Sequence, residues 1–162
     1  MIVVSDASPL VALSFIRQLS LLQQLYGQVL VPEAVWQELL AGQSHPGRDA
    51  VLNATWIERR SVQNRQLVIA LFQDLDLGES EAIALAVETN ANLLIVDERL
   101  GRRSAQHFGL NIIGVIGVLI DAKHHGLITE VKPYLDQLRI LAGFRISDAL
   151  FLRVLADEHE AK

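Results

Sequence analysis

The sequence predicts an α/β protein in which three layers, α/β/α, are built around a mostly parallel central sheet. Two short apolar runs rich in β-branched residues, 2–4 and 93–96, are each followed closely by an aspartate. Such runs are typical of buried parallel strands that emerge at their carboxyl ends. Segments with helical periodicity lie between the strand candidates, and this alternation favours a parallel sheet with helices on both faces.

Three further runs are strand candidates. Residues 28–31 form an apolar run that ends at Pro32, a residue suited to the first turn of a helix, whereas residues 56–60 and 111–113 are weaker candidates. Residues 42–47, which contain two glycines and a proline, are predicted to form a loop. Helical patterns cover nine segments: 9–15, 19–26, 32–41, 64–75, 79–89, 99–108, 115–125, 130–141 and 147–158.

Composition predicts one compact domain over residues 1–162. A chain of 162 residues that is 51% hydrophobic can bury an ordinary core, and a second domain would be cramped. The net charge of -5 has the wrong sign for indiscriminate binding to a polyanion, so any contact with nucleic acid requires a local basic patch. The absence of cysteine excludes disulfides and thiolate metal sites.

The sequence favours a cytoplasmic protein without a membrane anchor. The first residues contain no basic segment, and Asp6 interrupts their apolar run, so they make a poor secretory signal. The longest apolar stretch, residues 112–120, is far shorter than the roughly 20 residues of a membrane-spanning helix.

Four acidic residues are expected near one rim of the predicted sheet, where strands end or helices begin. Hard cations such as Mg²⁺ are held by carboxylate oxygens, which separate elements of a fold can supply. If the four side chains meet, they form a divalent-metal site. The candidates are Asp6, Glu38, Glu81 and Asp97.

Each of these acids also has a simpler structural explanation. Asp6 precedes a helix that it could cap, and acids in the first turn of a helix, such as Glu79 and Glu81, are favoured by the helix dipole. Side chains two apart on a helix diverge, so at most one of that pair should face a shared site. Glu81 is preferred because Leu85, four residues on, belongs to the packed part of the helix, and Glu79 is assigned to solvent.

A cluster of arginines follows the fourth acid. Asp97 and Glu98 are succeeded by Arg99, Arg102 and Arg103. Two explanations stay open: a self-paired, solvated helix start, or arginines that hold a phosphate backbone while the carboxylate holds a metal.

The order of these motifs resembles the PIN-domain ribonucleases over nearly the whole chain. The resemblance rests on the Val-Ser-Asp-Ala-Ser-Pro-Leu opening, the Gly-Glu-Ser-Glu-Ala-Ile helix start and the Gly-Phe-Arg-Ile-Ser segment at residues 143–147. The sequence looks most like the prokaryotic, toxin-like branch of that family. Two features depart from the family pattern: Glu81 stands where many relatives carry aspartate, and either Asp97 or Glu98 could be the fourth acid.

The resemblance implies an endoribonuclease that depends on Mg²⁺ or Mn²⁺ and cleaves single-stranded RNA. Asp6, Glu38, Glu81 and Asp97 would occupy the acidic positions of the family. Ser8 would supply a hydroxyl beside the first aspartate, and Arg99, Arg102 and Arg103 would contact RNA. The same resemblance implies a homodimer silenced by a small antitoxin protein.

Two other functions compete with that one. The first is a catalytically degenerate PIN-like domain that binds RNA or a partner protein without cleavage. The second is a phosphoacceptor domain, which needs a pair of acids after the first strand or an Asp-x-Asp motif, and Asp6-Ala7-Ser8 supplies neither. Fold analogy alone does not decide between them.

Overall fold

The computed structural model describes residues 1–42 and 46–161. Within them the strands form one sheet with the order β3-β2-β1-β4-β5, and every neighbouring pair is parallel. This confirms the predicted parallel sheet, with each strand within a residue or two of its predicted position. The strands are β1 (Val3–Ser5), β2 (Val29–Pro32), β3 (Ile57–Arg60), β4 (Leu93–Ile95) and β5 (Ile112–Ile113).

Among the described helices, the first seven connect successive strands, the later ones follow β5, and each of the nine predicted segments contains a helix. The segment predicted over residues 64–75 ends early as a helix, since the chain leaves it after Leu71. In the described residues the helices are α1 (Ala7–Phe15), α2 (Ser20–Tyr26), α3 (Glu33–Ala41), α4 (Pro46–Asn53), α5 (Arg65–Leu71), α6 (Leu77–Glu88), α7 (Arg99–His107), α8 (Val115–His124), α9 (Lys132–Leu141) and α10 (Asp148–Asp157).

Helix α4 is the element that the sequence analysis missed. The loop predicted over residues 42–47 is wrong at its end, because Pro46 and Gly47 already belong to α4, whereas residues 43–45 lie outside the described residues. A proline that opens a segment is itself a helix-start signal. The helix is short and largely polar, but it buries Val51 completely in the core.

Two hydrophobic cores lie on opposite faces of the sheet and confirm the three-layer architecture. Side chains alternate between the faces of a strand, so Val3 packs into one core and Val4 into the other. The first core contains apolar residues of α1, α2, α8, α9 and α10, and the second contains those of α5, α6 and α7. Helix α6 is apolar over 82–86 without interruption, and all five of these residues are buried.

The described helices include none with the length and apolar character that crossing a lipid bilayer would require.

Shortening a buried side chain of α6 should destabilise the fold. Leu85 is fully buried in the second core, so Leu85→Ala should lower the free energy of unfolding by about 2–5 kcal/mol through lost burial and a residual cavity. Urea denaturation followed by circular dichroism measures the change. Ile69→Ala on α5 is the matched control, because Ile69 is 66% exposed and should cost less than about 1 kcal/mol. Equal losses in the two variants would contradict the described packing of α6.

Candidate metal centre at the carboxyl edge of the sheet

Asp6 lies at the centre of the carboxyl edge of the sheet, directly after β1. Its backbone N–H donates to the Ile95 carbonyl at 3.0 Å, which continues the pairing of β1 with β4. The residue is 3% exposed. Burial raises the pKa of Asp6 to about 7; the Ala7 N–H lowers it in part, and the carboxylates of Glu38, Asp76 and Glu98 raise it further. Asp6 is therefore a buried acid surrounded by like charge.

Glu38 reaches the same place from α3, and a glycine makes room for it. A Cβ atom at Gly78, in the first turn of α6, would collide with Oε1 of Glu38 and would lie 3.6 Å from Oδ1 of Asp6. Glu38 and Asp6 thus meet over a bare stretch of backbone. Partial desolvation, followed by the charge of Asp76, raises the pKa of Glu38.

Glu79 faces the same group of acids, and the prediction that it points to solvent is wrong. It is only 9% exposed. The Asp76 side chain accepts the Glu79 N–H at 2.8 Å, and Oε1 of Glu79 accepts the Asp76 N–H at 3.3 Å, which forms a capping box at the start of α6. Burial, together with Asp76 and Asp6, raises the pKa of Glu79 to about 7. Its Oε2 lies against Gly101 of α7.

Glu81, which the sequence favours as the acid facing a shared site, is bonded to two other helices. Its Oε1 accepts the Ala34 N–H of α3 at 2.9 Å, and its Oε2 forms an ion pair with Nη1 of Arg65 at 2.8 Å. Both oxygens are therefore engaged at the beginnings of α3 and α5. Glu79 interacts electrostatically with Asp6, whereas the contacts of Glu81 are with Ala34 and Arg65.

Asp97 follows β4 and faces the start of α8. Its Oδ1 accepts the Val115 N–H at 3.0 Å, and a Cβ at Gly114 would lie only 2.5 Å from that oxygen. Its Oδ2 is buried and has no hydrogen-bond partner among the described residues. Burial raises the pKa of Asp97, the Val115 N–H and Arg102 counteract this, and Glu98 adds to it.

These acids form one group, which we call the carboxylate edge. Its members belong to four separate segments of the chain, and electrostatic coupling links them through Asp6 and Asp97. The group consists of Asp6, Glu38, Asp76, Glu79, Asp97 and Glu98.

A cavity of about 610 Å³ opens at the carboxylate edge, and we call it the edge groove. The exposed Ser8 and Arg99, both expected near a substrate, line it. Arg102 instead turns inward: its Nη1 donates to the Val96 carbonyl at 3.2 Å and lies beside Asp97 at Gly114. Arg103 is exposed on α7 outside the groove lining. The lining residues are Ala7, Ser8, Val11, Ala12, Phe15, Glu38, Asp97, Glu98, Arg99, Ala142, Gly143, Phe144 and Arg145.

Comparison with known proteins identifies the family. A family model described as a PIN domain matches residues 2–160. The chain belongs to the PIN-domain family. No curated protein matches it significantly. PIN domains have a nuclease fold and generally use divalent metal ions.

The donors of this PIN domain fit a hard divalent cation in chemical type. Every candidate ligand is a carboxylate oxygen, the class that Mg²⁺ and Mn²⁺ prefer, and the unpartnered Oδ2 of Asp97 is a buried acceptor that lacks a donor. Among residues 1–42 and 46–161, however, no three acidic side chains stand together as a ready-made ligand set. Coordination by several of them would require side-chain rotation.

The sequence contained a signal for the residues that were overlooked. Asp76 and Glu79 form an Asp-x-x-Glu pattern directly before the apolar run of α6, which is the signature of a capping box. That pattern predicts that the Glu79 side chain folds back over the helix start instead of extending into solvent.

The raised pKa of Asp6 predicts a pH-dependent stability. With a pKa of 3.8 in the unfolded chain and about 7 in this PIN domain, Asp6 keeps a proton in the folded state that the unfolded state releases. Its contribution to stability therefore falls as pH rises from about 4 to 7. Asp6→Asn should remove this loss and raise the free energy of unfolding at pH 8 by roughly 4 kcal/mol, with little effect at pH 4.

Urea denaturation of wild type and Asp6→Asn across pH 4–8, in EDTA, measures this difference. A variant that is equally stable or less stable than wild type at pH 8 would contradict the described burial of Asp6.

The glycine at position 78 predicts a variant that keeps its stability but loses affinity for a metal ion. Gly78→Ala would push the flexible end of Glu38 away from Asp6. A helical Gly→Ala change stabilises by up to about 1 kcal/mol, so the variant should unfold no more easily than wild type. Its affinity for Mn²⁺, measured by isothermal titration calorimetry, should fall by about tenfold or more.

Gly42→Ala is the matched control, because a Cβ there meets only ordinary contacts of 3.5 Å. Unchanged Mn²⁺ affinity in Gly78→Ala would show that the position of Glu38 over Gly78 does not matter for the metal.

Proposed function

We propose that this PIN domain is a metal-dependent endoribonuclease that hydrolyses phosphodiester bonds of single-stranded RNA. The carboxylate edge carries the proposal: acids from four segments are gathered at the carboxyl ends of parallel strands, where α/β proteins bind their ligands. Gathering desolvated like charges is costly without a counter-ion. A divalent cation and a phosphate backbone would relieve that cost.

The ligands that we propose for Mg²⁺ or Mn²⁺ are Asp6, Glu38, Glu79 and Asp97, with Glu98 beside them. When bound, the cation would lower the pKa of a water molecule and neutralise charge on the phosphate. Residues of the chain hold these carboxylates in position. The Val115 N–H fixes one oxygen of Asp97 and leaves Oδ2 available, and Arg102 supports the same carboxylate electrostatically.

Ser8 and Arg99 line the edge groove next to these acids and are proposed to contact the substrate. A serine hydroxyl can donate to a phosphate oxygen, and a guanidinium binds phosphate with charge-assisted hydrogen bonds. Arg103 is exposed on α7, one turn from Arg99, and is proposed as an outer contact for RNA.

We further propose that residues 1–162 act as one domain, as the toxin of a toxin–antitoxin pair, and that the protein forms a homodimer. The resemblance of its motifs to the toxin-like branch of the PIN family supports this role. A small antitoxin protein would then silence it.

A second candidate is a catalytically degenerate PIN domain that binds RNA or a partner protein without cleavage. The observation in its favour is that no three acids among the described residues are already arranged to hold an ion. Calorimetric titration of Mn²⁺ into wild type and into Glu38→Gln separates the two candidates. Heat of binding in wild type that is lost in Glu38→Gln supports the nuclease, and no heat in either protein supports the degenerate domain.

Neutralising individual acids should distinguish residues needed for cleavage from residues needed only for stability. Asp6→Asn and Glu79→Gln should abolish Mg²⁺-dependent cleavage of a single-stranded RNA, while each variant keeps its fold by circular dichroism. Glu81→Gln should retain cleavage, because Glu81 is engaged by Ala34 and Arg65, but should lower the free energy of unfolding by about 1–3 kcal/mol. A gel assay with a labelled oligoribonucleotide measures cleavage.

Full activity in Asp6→Asn would refute the proposed site. Loss of cleavage in Glu81→Gln at a temperature where that variant is fully folded would restore Glu81 to the catalytic group.

A further inference from the structure

The wall of the edge groove that faces the carboxylate edge comes from the segment between α9 and α10. Gly143, Phe144 and Arg145 of this segment line the groove. Gly143 has φ +61°, in the left-handed region that glycine adopts without strain. The first three residues of the Gly-Phe-Arg-Ile-Ser motif therefore share a groove with acids of the carboxylate edge.

Hydrogen bonds to α9 fix the position of this segment. The Phe144 N–H donates to the Leu138 carbonyl at 3.0 Å. Arg139 donates to the Ile146 carbonyl at 2.7 Å, and its guanidinium stacks 4.3 Å from the ring centroid of Phe151. A wall fixed at both ends offers its side chains in one geometry, which lowers the entropic cost of binding.

The cations of the groove differ from most others on this protein. In the described part of the chain, the majority of Lys and Arg side chains form ion pairs or hydrogen bonds. Arg99 and Arg145 form neither there, although both line a groove that also contains Glu38, Asp97 and Glu98. The engaged side chains are Arg48, Arg59, Arg60, Arg65, Arg102, Lys123, Lys132, Arg139 and Arg153.

We propose that Arg99 and Arg145 form a clamp that grips the phosphate backbone of single-stranded RNA across the edge groove, with Phe144 offering its ring to a base. This proposal rests on the proposed function, for which it supplies the substrate-binding surface. Unpaired guanidinium groups suit phosphates because of their planar, multiple donors. Cationic side chains interleaved with aromatic ones are typical of grooves that bind single strands, since bases stack on the rings.

Two properties favour a nucleic acid over an acidic protein segment. The groove places its two free arginines on different elements, α7 and the α9–α10 segment, as a repeating chain of phosphates requires. Phe144 lines the same cavity and packs in part against the first core. An acidic peptide carries charge for the arginines but has no flat base to stack on this ring.

The test measures binding separately from cleavage. A short fluorescein-labelled oligouridylate is titrated, by fluorescence anisotropy in Mg²⁺, with Asp6→Asn protein, and a gel verifies that the probe stays intact. Adding Arg99→Ala or Arg145→Ala should weaken binding roughly tenfold. Each should also reduce the slope of log affinity against log salt concentration by about 0.7, the value for one phosphate contact on a single strand.

Two further variants control for charge and geometry. Arg17→Ala removes another exposed arginine, which lines a different cavity, so it should change affinity less than about twofold. Arg145→Lys keeps the charge and should keep the salt slope, while losing part of the affinity because an ammonium cannot replace a planar guanidinium. Thermal unfolding checks that each variant is folded.

Several results would overturn the clamp. They are unchanged affinity in Arg145→Ala, an equal loss in Arg17→Ala, no binding of the probe by the parent protein, or preferential binding of polyglutamate. Equally tight, arginine-dependent binding of duplex RNA would refute the assignment to single strands. If the probe binds as described but wild type never cleaves RNA, the clamp stands and the proposed nuclease function fails.

Discussion

The structure depends on keeping several negatively charged side chains together in a place with little water. Asp6 is 3% exposed and Glu79 9% exposed, and each raises the cost of ionising the other. The surrounding chain limits that cost with backbone donors: the N–H groups of Ala7 and Val115 each favour the ionised form of the carboxylate that they contact. The fold itself does not offset the remaining cost of ionising these acids, and this is why we propose that they form the functional site.

Three glycines leave space for the buried carboxylates. Gly78, Gly101 and Gly114 lie on three successive helices or their caps, and at each of them an added Cβ would meet a carboxylate oxygen. None of the three has a positive φ, so the backbone conformation does not demand glycine there. Glycine is needed at these positions because a carboxylate oxygen lies so close to the helix backbone that a Cβ atom would collide with it.

The sequence predicted most of the fold because parallel strands and buried helices leave strong local patterns. Strands that end at Asp6 and Asp97 follow from short β-branched runs, and the alternation with helices then fixes the sheet type. Helix α4 was missed because a short, polar helix that begins with Pro46 and Gly47 looks like a loop. The rotation of α6 was misjudged for a different reason: 82–86 are buried on all sides, so an apolar neighbour does not reveal which face a glutamate occupies.

The bond of Glu81 to the first turn of α3 has a mechanical consequence. Helix α6 carries Glu79, α3 carries Glu38, and Glu81 joins the two helices while also binding Arg65 of α5. These contacts join the helices that supply the two acids, so adjustment to a bound ion would fall mainly to the side-chain torsions of the two glutamates. Because those side chains are flexible, the proposed site would accept ions of different radius without a shift of the backbone.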